Sequence, residues 1–295
     1  MDLVALADIM KRRYKVGNID GKSNYHTHTF YCDGKNSPEE MVERALELGF
    51  TSLGFSGHQF SVPDADYAMD PIVEIKYKNH IKELQEEYKD RIKIYLGIER
   101  DYYCDLRSGY QYVIGSTHHI EKDGHILNVD ESPQVFEKAV KECFQGDYMA
   151  FVEEYYKKES QVLLRTGGQI VGHFDLVTVF NKDNRYFNEE DSAYKAMALK
   201  AVDEILESFS QSGMSKEIPE DFPEEFAMLI YATGLPIFEI NTGATAKGRR
   251  DLPYPAPFII EHLADSGVPL IMNSDCHDKR YLDFGFKPLV NRYGE

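Results

Sequence analysis

The sequence predicts an α/β fold built on a mainly parallel sheet, open or closed into a barrel, and three observations carry that expectation. Short apolar, β-like runs alternate with longer helical segments along the chain. A length of 295 residues suits one α/β barrel better than two small domains. Side chains able to hold metals recur at the C-terminal end of run after run, the face on which parallel α/β folds build their sites.

Residues 1–22 form an N-terminal extension ahead of the first run, 23–29 (SNYHTHT). SPEEMVERALELG, from Ser37, predicts a helix: Glu40 follows Ser37 by three residues, the reciprocal capping-box spacing, and Gly49 stops it. The second run is 52–57 (SLGFSG), and residues 70–89, charged and started by Pro71, suit an amphipathic helix. The third and fourth runs, 92–99 (IKIYLGIE) and 112–116 (YVIGS), precede a helical stretch over 135–158 and the fifth run, 169–173 (QIVGH). Residues 181–225 are polar and acidic and interrupt the spacing before the sixth run. They read as an insertion of one helix, over 193–210, plus a loop, which leaves a single domain over residues 1–295. A helix at 224–233, the sixth run 236–241 (PIFEIN), a helix at 257–266 and the seventh run 268–274 (VPLIMNS) complete the pattern.

Composition narrows the function classes. With 42% hydrophobic and 28% charged residues the chain can bury a full core, which excludes whole-chain disorder. A net charge of −17 repels phosphate backbones and anionic membranes, so neither nucleic acid nor membrane is expected as a partner. Cys32, Cys104, Cys143 and Cys276 stand far apart without a CxxC pair and read as free thiols in a reducing compartment. The start, MDLVALADIMKRRY, puts its basic residues after the apolar stretch, the reverse of a secretory signal, and no apolar run approaches a membrane span. A cytoplasmic protein is the expectation.

The positional pattern is the strongest functional signal. His26 and His28 end the first run, His58 follows the second, Glu99 ends the third, and His118 and His119 follow the fourth. His173 ends the fifth, Glu239 and Asn241 the sixth, and Asp275 and His277 follow the seventh, so seven of the ten histidines fall on one inferred face. Each has a bland alternative: His58 as a loop histidine, Glu99 in a salt bridge, His173 as a buried imidazole, Asp275 as a cap. Separate bland explanations for all of them are together less probable than one shared site. HxH places two side chains on one strand face, and Asp33 in HTHTFYCDG can turn back toward them. Imidazoles with carboxylates suit Zn, Mn or Fe, and a set this large exceeds the needs of one ion, so two to three divalent ions are expected. Cys32 and Cys276 are read as packing residues.

HTHTFYCDG, GFSGH, GIERDYY, GSTHH, GHFDLV, EINTG and NSDCH, in that order, resemble the polymerase and histidinol phosphatase (PHP) superfamily, most closely its histidinol-phosphate phosphatase branch, over about residues 25–286. The resemblance implies a distorted seven-stranded (βα)7 TIM-like barrel with a trinuclear metal centre. It assigns His26, His28, Glu99 and Asp275 to the first metal, Glu99, His118 and His173 to the second, and Asp33, His58 and His277 to the third. It further implies hydrolysis of a phosphate monoester, L-histidinol phosphate above all, with Glu99, Asp275 and His277 as catalytic residues. Two positions depart from it: some relatives have histidine in place of Asp33, and an aromatic residue is common in place of His119.

A small phosphorylated substrate also needs cationic or N–H donors. Lys247 and Arg249, after EINTG and beside Arg250, are the preferred pair; Arg165, His119 and Arg100 are the other candidates. Three rival readings share the residues: a nucleotide phosphatase or nuclease, a metal-dependent amidohydrolase, and a non-catalytic metal or ligand sensor.

Overall fold

The computed structural model describes residues 21–216 and 218–287; residues 1–20 of the extension lie outside them. Seven parallel strands form one sheet in the order β1 (Ser23–Asn24), β2 (Ser52–Phe55), β3 (Lys93–Asp101), β4 (Tyr112–Ser116), β7 (Ile170–Val171), β8 (Ile237–Asn241) and β9 (Leu270–Asn273). β3 is the long central staple: Lys93 to Leu96 pair with β2 and Gly97 to Asp101 with β4. A parallel bridge between Thr27 and Cys276, with His28 N–H donating to Cys276 O at 3.0 Å, brings the first and last strands together and nearly closes a barrel.

Several of the expected strands are shorter than their runs. After Asn24, the Asn24 side-chain oxygen accepts the His26 N–H at 3.0 Å, so the backbone leaves the ladder and the HxH segment lies beyond β1. The ladder of β7 is also two residues long. Outside the sheet, β5 (His119–Lys122) and β6 (His125–Asn128) form an antiparallel hairpin that the sequence reading missed. Its turn, Asp123-Gly124, has φ of 51° and 79°, the doubly positive geometry that Asp-Gly favours in hairpins.

The helices follow local chemistry. In α1 (Pro38–Glu47) Ser37 Oγ accepts the Glu40 N–H at 3.2 Å and Glu40 Oε2 accepts the Ser37 N–H at 3.0 Å, the expected capping box. α2 (Pro71–Tyr88) is capped by Asp70, whose Oδ1 accepts from Ile72 N and Val73 N. The helix expected over 135–158 is two, α3 (Pro133–Cys143) and α4 (Tyr148–Glu159). The break falls at Gln145 and Gly146, both at positive φ, and Asp147 recaps the chain on Ala150 N. A short α5 (Val162–Thr166), also unforeseen, ends at the left-handed Gly167. α6 (Ser192–Ser212), within the acidic 181–225 stretch, packs on α4, α5 and α9 (Pro257–Asp265), so this stretch supplies part of the outer helical layer. α7 (Glu224–Thr233) and α8 (Gly243–Ala246) flank β8. Among the described residues, no helix is long and apolar enough to cross a membrane.

Inside the barrel a large side chain fits against small ones. The Tyr112 ring lies where a Cβ on Gly97 would fall, its hydroxyl beside Gly54, and it donates to Tyr25 O at 2.6 Å. Tyr25 packs on Phe226 with ring centroids 4.4 Å apart. This aromatic plug fills the barrel interior with close-packed carbon. The polar side chains that follow the strands are held at its C-terminal mouth.

Candidate metal centre

Each strand end delivers its side chains for a local reason. Thr27 points away from the site and donates to Gly54 O at 2.7 Å, which leaves His26 and His28 on the opposite face, ring centroids 5.2 Å apart. The chain then folds back at Gly34, where a Cβ would sit 2.5 Å from the His28 backbone. That turn carries Asp33 to His277 Nε2 at 3.0 Å and to within 3.8 Å of His58 Nε2. A parallel bridge sets His58 beside Glu99. Asp275 has φ 47°, a left-handed conformation rare for a non-glycine residue, and its carboxylate reaches His28 Nε2 at 3.0 Å.

Glu99 is the centre of the arrangement. One oxygen lies 3.1 Å from His26 Nε2, 3.1 Å from His58 Nδ1 and 3.5 Å from His28 Nε2; the other lies 2.9 Å from His173 Nε2 and 3.4 Å from His118 Nε2. Five imidazoles thus surround one buried carboxylate. Yet His26 Nε2, His28 Nε2 and Glu99 Oε2 are buried without a hydrogen bond. Buried polar atoms are nearly always paired, so orphans at ligand spacing fit metal ions shared among them. Four overlapping groups have mutually close ligand atoms: His28, Asp33, His58 and His277; His26, His28 and Asp275; His26, Glu99 and His173; and His58, Glu99 and His118.

The carboxylates of the site are held ionised. Burial alone would raise the Glu99 and Asp275 carboxyls, but the neighbouring imidazoles, His26 foremost, outweigh it and hold both well below the ordinary range. Burial likewise opposes ionisation of Asp33, and His58, His277 and His28 overcome it. His28 is pushed down to about 3, by burial first and then by His277 and His58, so its ring is neutral and free to ligate. Nitrogen and carboxylate donors of this kind suit Zn, Mn or Fe.

The remaining candidates separate cleanly. Lys247 and Arg249 line the cleft over the histidines, together with Tyr67, Asn128, Asp130 and Glu131. Arg165 does not reach it: it is exposed on the outer layer, over the Tyr102 ring at 5.3 Å. His119 is absent from the cleft lining and sits buried against Asp64 and Asp101 at 3.4 and 3.8 Å. Arg100 is taken up by Gln59 and the Arg107 carbonyl, and Arg250 by Thr178 and Glu189. Sequence reasoning gave no role to Asp101, which accepts the His118 N–H at 2.8 Å, and marked Glu239 only as one more metal-capable strand end, whereas it accepts from His26 Nδ1 at 2.9 Å. The strand-end rule that marked the candidate ligands marked Glu239 as well; its neighbours alone separate it from them.

The PHP domain family model matches residues 24–220. The chain belongs to the PHP family. A histidinol-phosphatase of Bacillus subtilis is 23% identical over 298 residues, covering 92% of this PHP protein and 99% of the relative. A probable histidinol-phosphatase of Schizosaccharomyces pombe is 24% identical over 274 residues, 86% and 79% of the two chains. Among solved structures, a histidinol phosphate phosphatase of Lactococcus lactis subsp. lactis shares the fold, with a TM-score of 0.60 at 20% identity over 93% of this PHP chain and 94% of its own; that protein was solved with zinc, L-histidinol and phosphate.

Proposed function

We propose that this PHP protein is a metal-dependent phosphomonoester hydrolase acting on L-histidinol phosphate in the cytoplasm, and that it uses two to three divalent ions of Zn, Mn or Fe. The observation that carries the reading is the Glu99 carboxylate with five imidazoles around it beneath a cleft bearing Lys247 and Arg249. His26, His28, Glu99 and Asp275 would hold one ion, Glu99, His118 and His173 a second, and Asp33, His58 and His277 a third. When bound, the ions supply a water of lowered pKa and positive charge against the phosphoryl oxygens.

The protein's own residues do the rest. Lys247 and Arg249 receive phosphoryl oxygens through charge-assisted hydrogen bonds. Arg249 is oriented by Phe180, 5.4 Å beneath its guanidinium, and by the Asp130 carbonyl at 3.4 Å. Asp275, ionised at neutral pH because His26, His28 and His277 outweigh its burial, accepts a hydrogen bond from the attacking water and orients it. Asp130 and Glu131 share the cleft with the two cations, so it offers both signs of charge. That pairing suits a substrate with an anionic phosphate and a cationic remainder, as in histidinol phosphate, better than a mononucleotide.

Phosphate release from histidinol phosphate, a mononucleotide and an aryl phosphate, with elemental analysis of the same sample, tests the reading. The expected result is at least two ions per chain and a kcat/KM for histidinol phosphate at least about tenfold above the others, a difference of about 1.4 kcal/mol. Comparable rates on all three would remove the substrate assignment, and a protein that neither binds ions nor hydrolyses any of them after Mn or Zn addition would remove the enzyme. Arg249→Ala is expected to raise KM more than about threefold; a smaller change would take Arg249 out of phosphate binding.

A further inference from the structure

Glu239 stands at a strand end like the other acidic residues of the site, yet its surroundings are of another kind. Its carboxylate is fully buried and saturated with donors. Oε1 accepts from the His173 backbone N–H at 2.7 Å and from Asn241 Nδ2 at 2.7 Å; Oε2 accepts from Asn273 Nδ2 at 2.9 Å and from His26 Nδ1 at 2.9 Å. The amide orientations follow from the other ends of the same side chains. Asn241 Oδ1 accepts the Gly243 N–H at 2.8 Å and Asn273 Oδ1 accepts the Tyr25 N–H at 2.9 Å, so both NH2 groups must face Glu239. With every lone pair engaged, Glu239 has none left for an ion.

From this we infer that Glu239 is a positioning residue: it holds His26 as the Nδ1–H tautomer and thereby keeps the Nε2 lone pair aimed at the metal centre. A neutral imidazole carries one N–H, and the hydrogen bond at one nitrogen decides which nitrogen is bare. Here Nδ1–H donates to the carboxylate, and Nε2, buried and without a hydrogen bond, lies between Glu99 Oε2 at 3.1 Å and Asp275 Oδ1 at 3.7 Å. The negative charge behind the ring also raises its basicity as a ligand. His28 has looser support: its Nδ1 faces the Cys32 sulfur at 3.5 Å, a weak acceptor, and the Asp33 carboxylate only at 3.6 Å. Glu239 also ties β8 to β9 through Asn273 and to the segment after β7 through the His173 N–H, so one carboxylate sets both the tautomer of one histidine and the backbone of another.

The inference rests on the metal reading, though not on the choice of substrate. Its test is Glu239→Gln, which keeps the shape but sets an NH2 against the surrounding donors. Release of bound Zn or Mn to a chelator is measured for the wild-type protein, Glu239→Gln, His26→Ala and the double variant, with circular dichroism to follow the fold. Glu239→Gln is expected to speed release of one ion about tenfold to a hundredfold and to lower kcat while KM for histidinol phosphate stays within about twofold. In the His26→Ala background it should add little, since the two residues act as a unit. An equal added effect in that background, or release as slow as in the wild type, would overturn the inference while leaving the metal reading in place. A wild-type protein that retains no ion would overturn both. If Glu239→Gln does not fold, Asn273→Asp, which sets a second carboxylate against Glu239 in place of a donor, is read in the same chelator assay: faster release supports the positioning role and unchanged release overturns it.

Discussion

Glu99 and Glu239 are both buried carboxylates on barrel strands, facing neighbouring histidines, and they end in opposite conditions. Glu239 is met by amide, backbone and imidazole donors until no lone pair is free. Glu99 has one hydroxyl, Ser116 Oγ at 2.7 Å, a hydrogen bond with His173 Nε2 at 2.9 Å, and otherwise a ring of imidazole nitrogens, two of them without any hydrogen bond. A carboxylate with all its donors fits the scaffold, whereas one left incomplete among bare nitrogens fits a metal ligand. Neither residue type nor strand position separates the two; the neighbours do.

The sharpest way to break that contrast is Glu99→Gln. Removing the charge shared by the proposed ions is expected to lower kcat/KM at least about a thousandfold and to cost at least one ion by elemental analysis. A variant that keeps all its ions and activity within tenfold would show that Glu99 is scaffold after all. A smaller effect is expected from Asn273→Ala, which strips Glu239 of one donor and Tyr25 N–H of its acceptor. Glu239 keeps its other donors, so the cost is mainly that of the buried Tyr25 N–H losing the Asn273 oxygen, about 2 kcal/mol, read as a lower midpoint in urea unfolding; an unchanged midpoint would mean that water replaces the amide.

An effect confined to pH dependence concerns a third buried carboxyl, Glu159 on α4, which belongs to neither group. Burial pushes it well above its ordinary value of 4.5, against the weaker opposing pull of Thr117 and His118. The native state therefore keeps its proton at a pH where the unfolded chain has lost it. Stability from this group is fully present below pH 4.5 and declines as pH rises toward the folded value, by at most about 1.4 kcal/mol per pH unit. Glu159→Gln should remove that slope, so that wild type and variant unfold alike near pH 4 and the variant is the more stable at pH 8. A stability difference between the two proteins that is the same at pH 4 and pH 8 in urea unfolding would refute it.

Much of this was legible in the sequence because parallel strands put function at their ends. His26, His28, His58, Glu99, His118, His173, Asp275 and His277 could be grouped from the runs they follow, and Asp33 from the turn at Gly34. The alternation of runs and helical segments likewise foretold the parallel sheet. What stayed hidden depends on three-dimensional neighbours or on single backbone angles. Glu239 could not be told from a ligand without Asn241 and Asn273 beside it. Arg165 was tied to the site by charge alone, although its helix buries Val162, Leu163 and Thr166 and leaves the arginine outside. The helix over 135–158 looked continuous because Gln145 carries no breaker signal and Gly146 alone is a weak one; the hairpin after β4 did carry its Asp-Gly signal, in a stretch too short to suggest a pair of strands.

The bridge between Thr27 and Cys276 has a consequence for how the site comes into being. A chain is made from its N-terminus, so His26, His28 and Glu99 leave the ribosome early, and Asp275 and His277 follow only after nearly the whole of this sequence. Until β9 docks beside β1, the proposed first ion lacks its aspartate and the third lacks one of its histidines. Firm capture of the proposed first and third ions would thus come only after β9 has joined β1, and a fully loaded centre would mark a chain in which that junction is made.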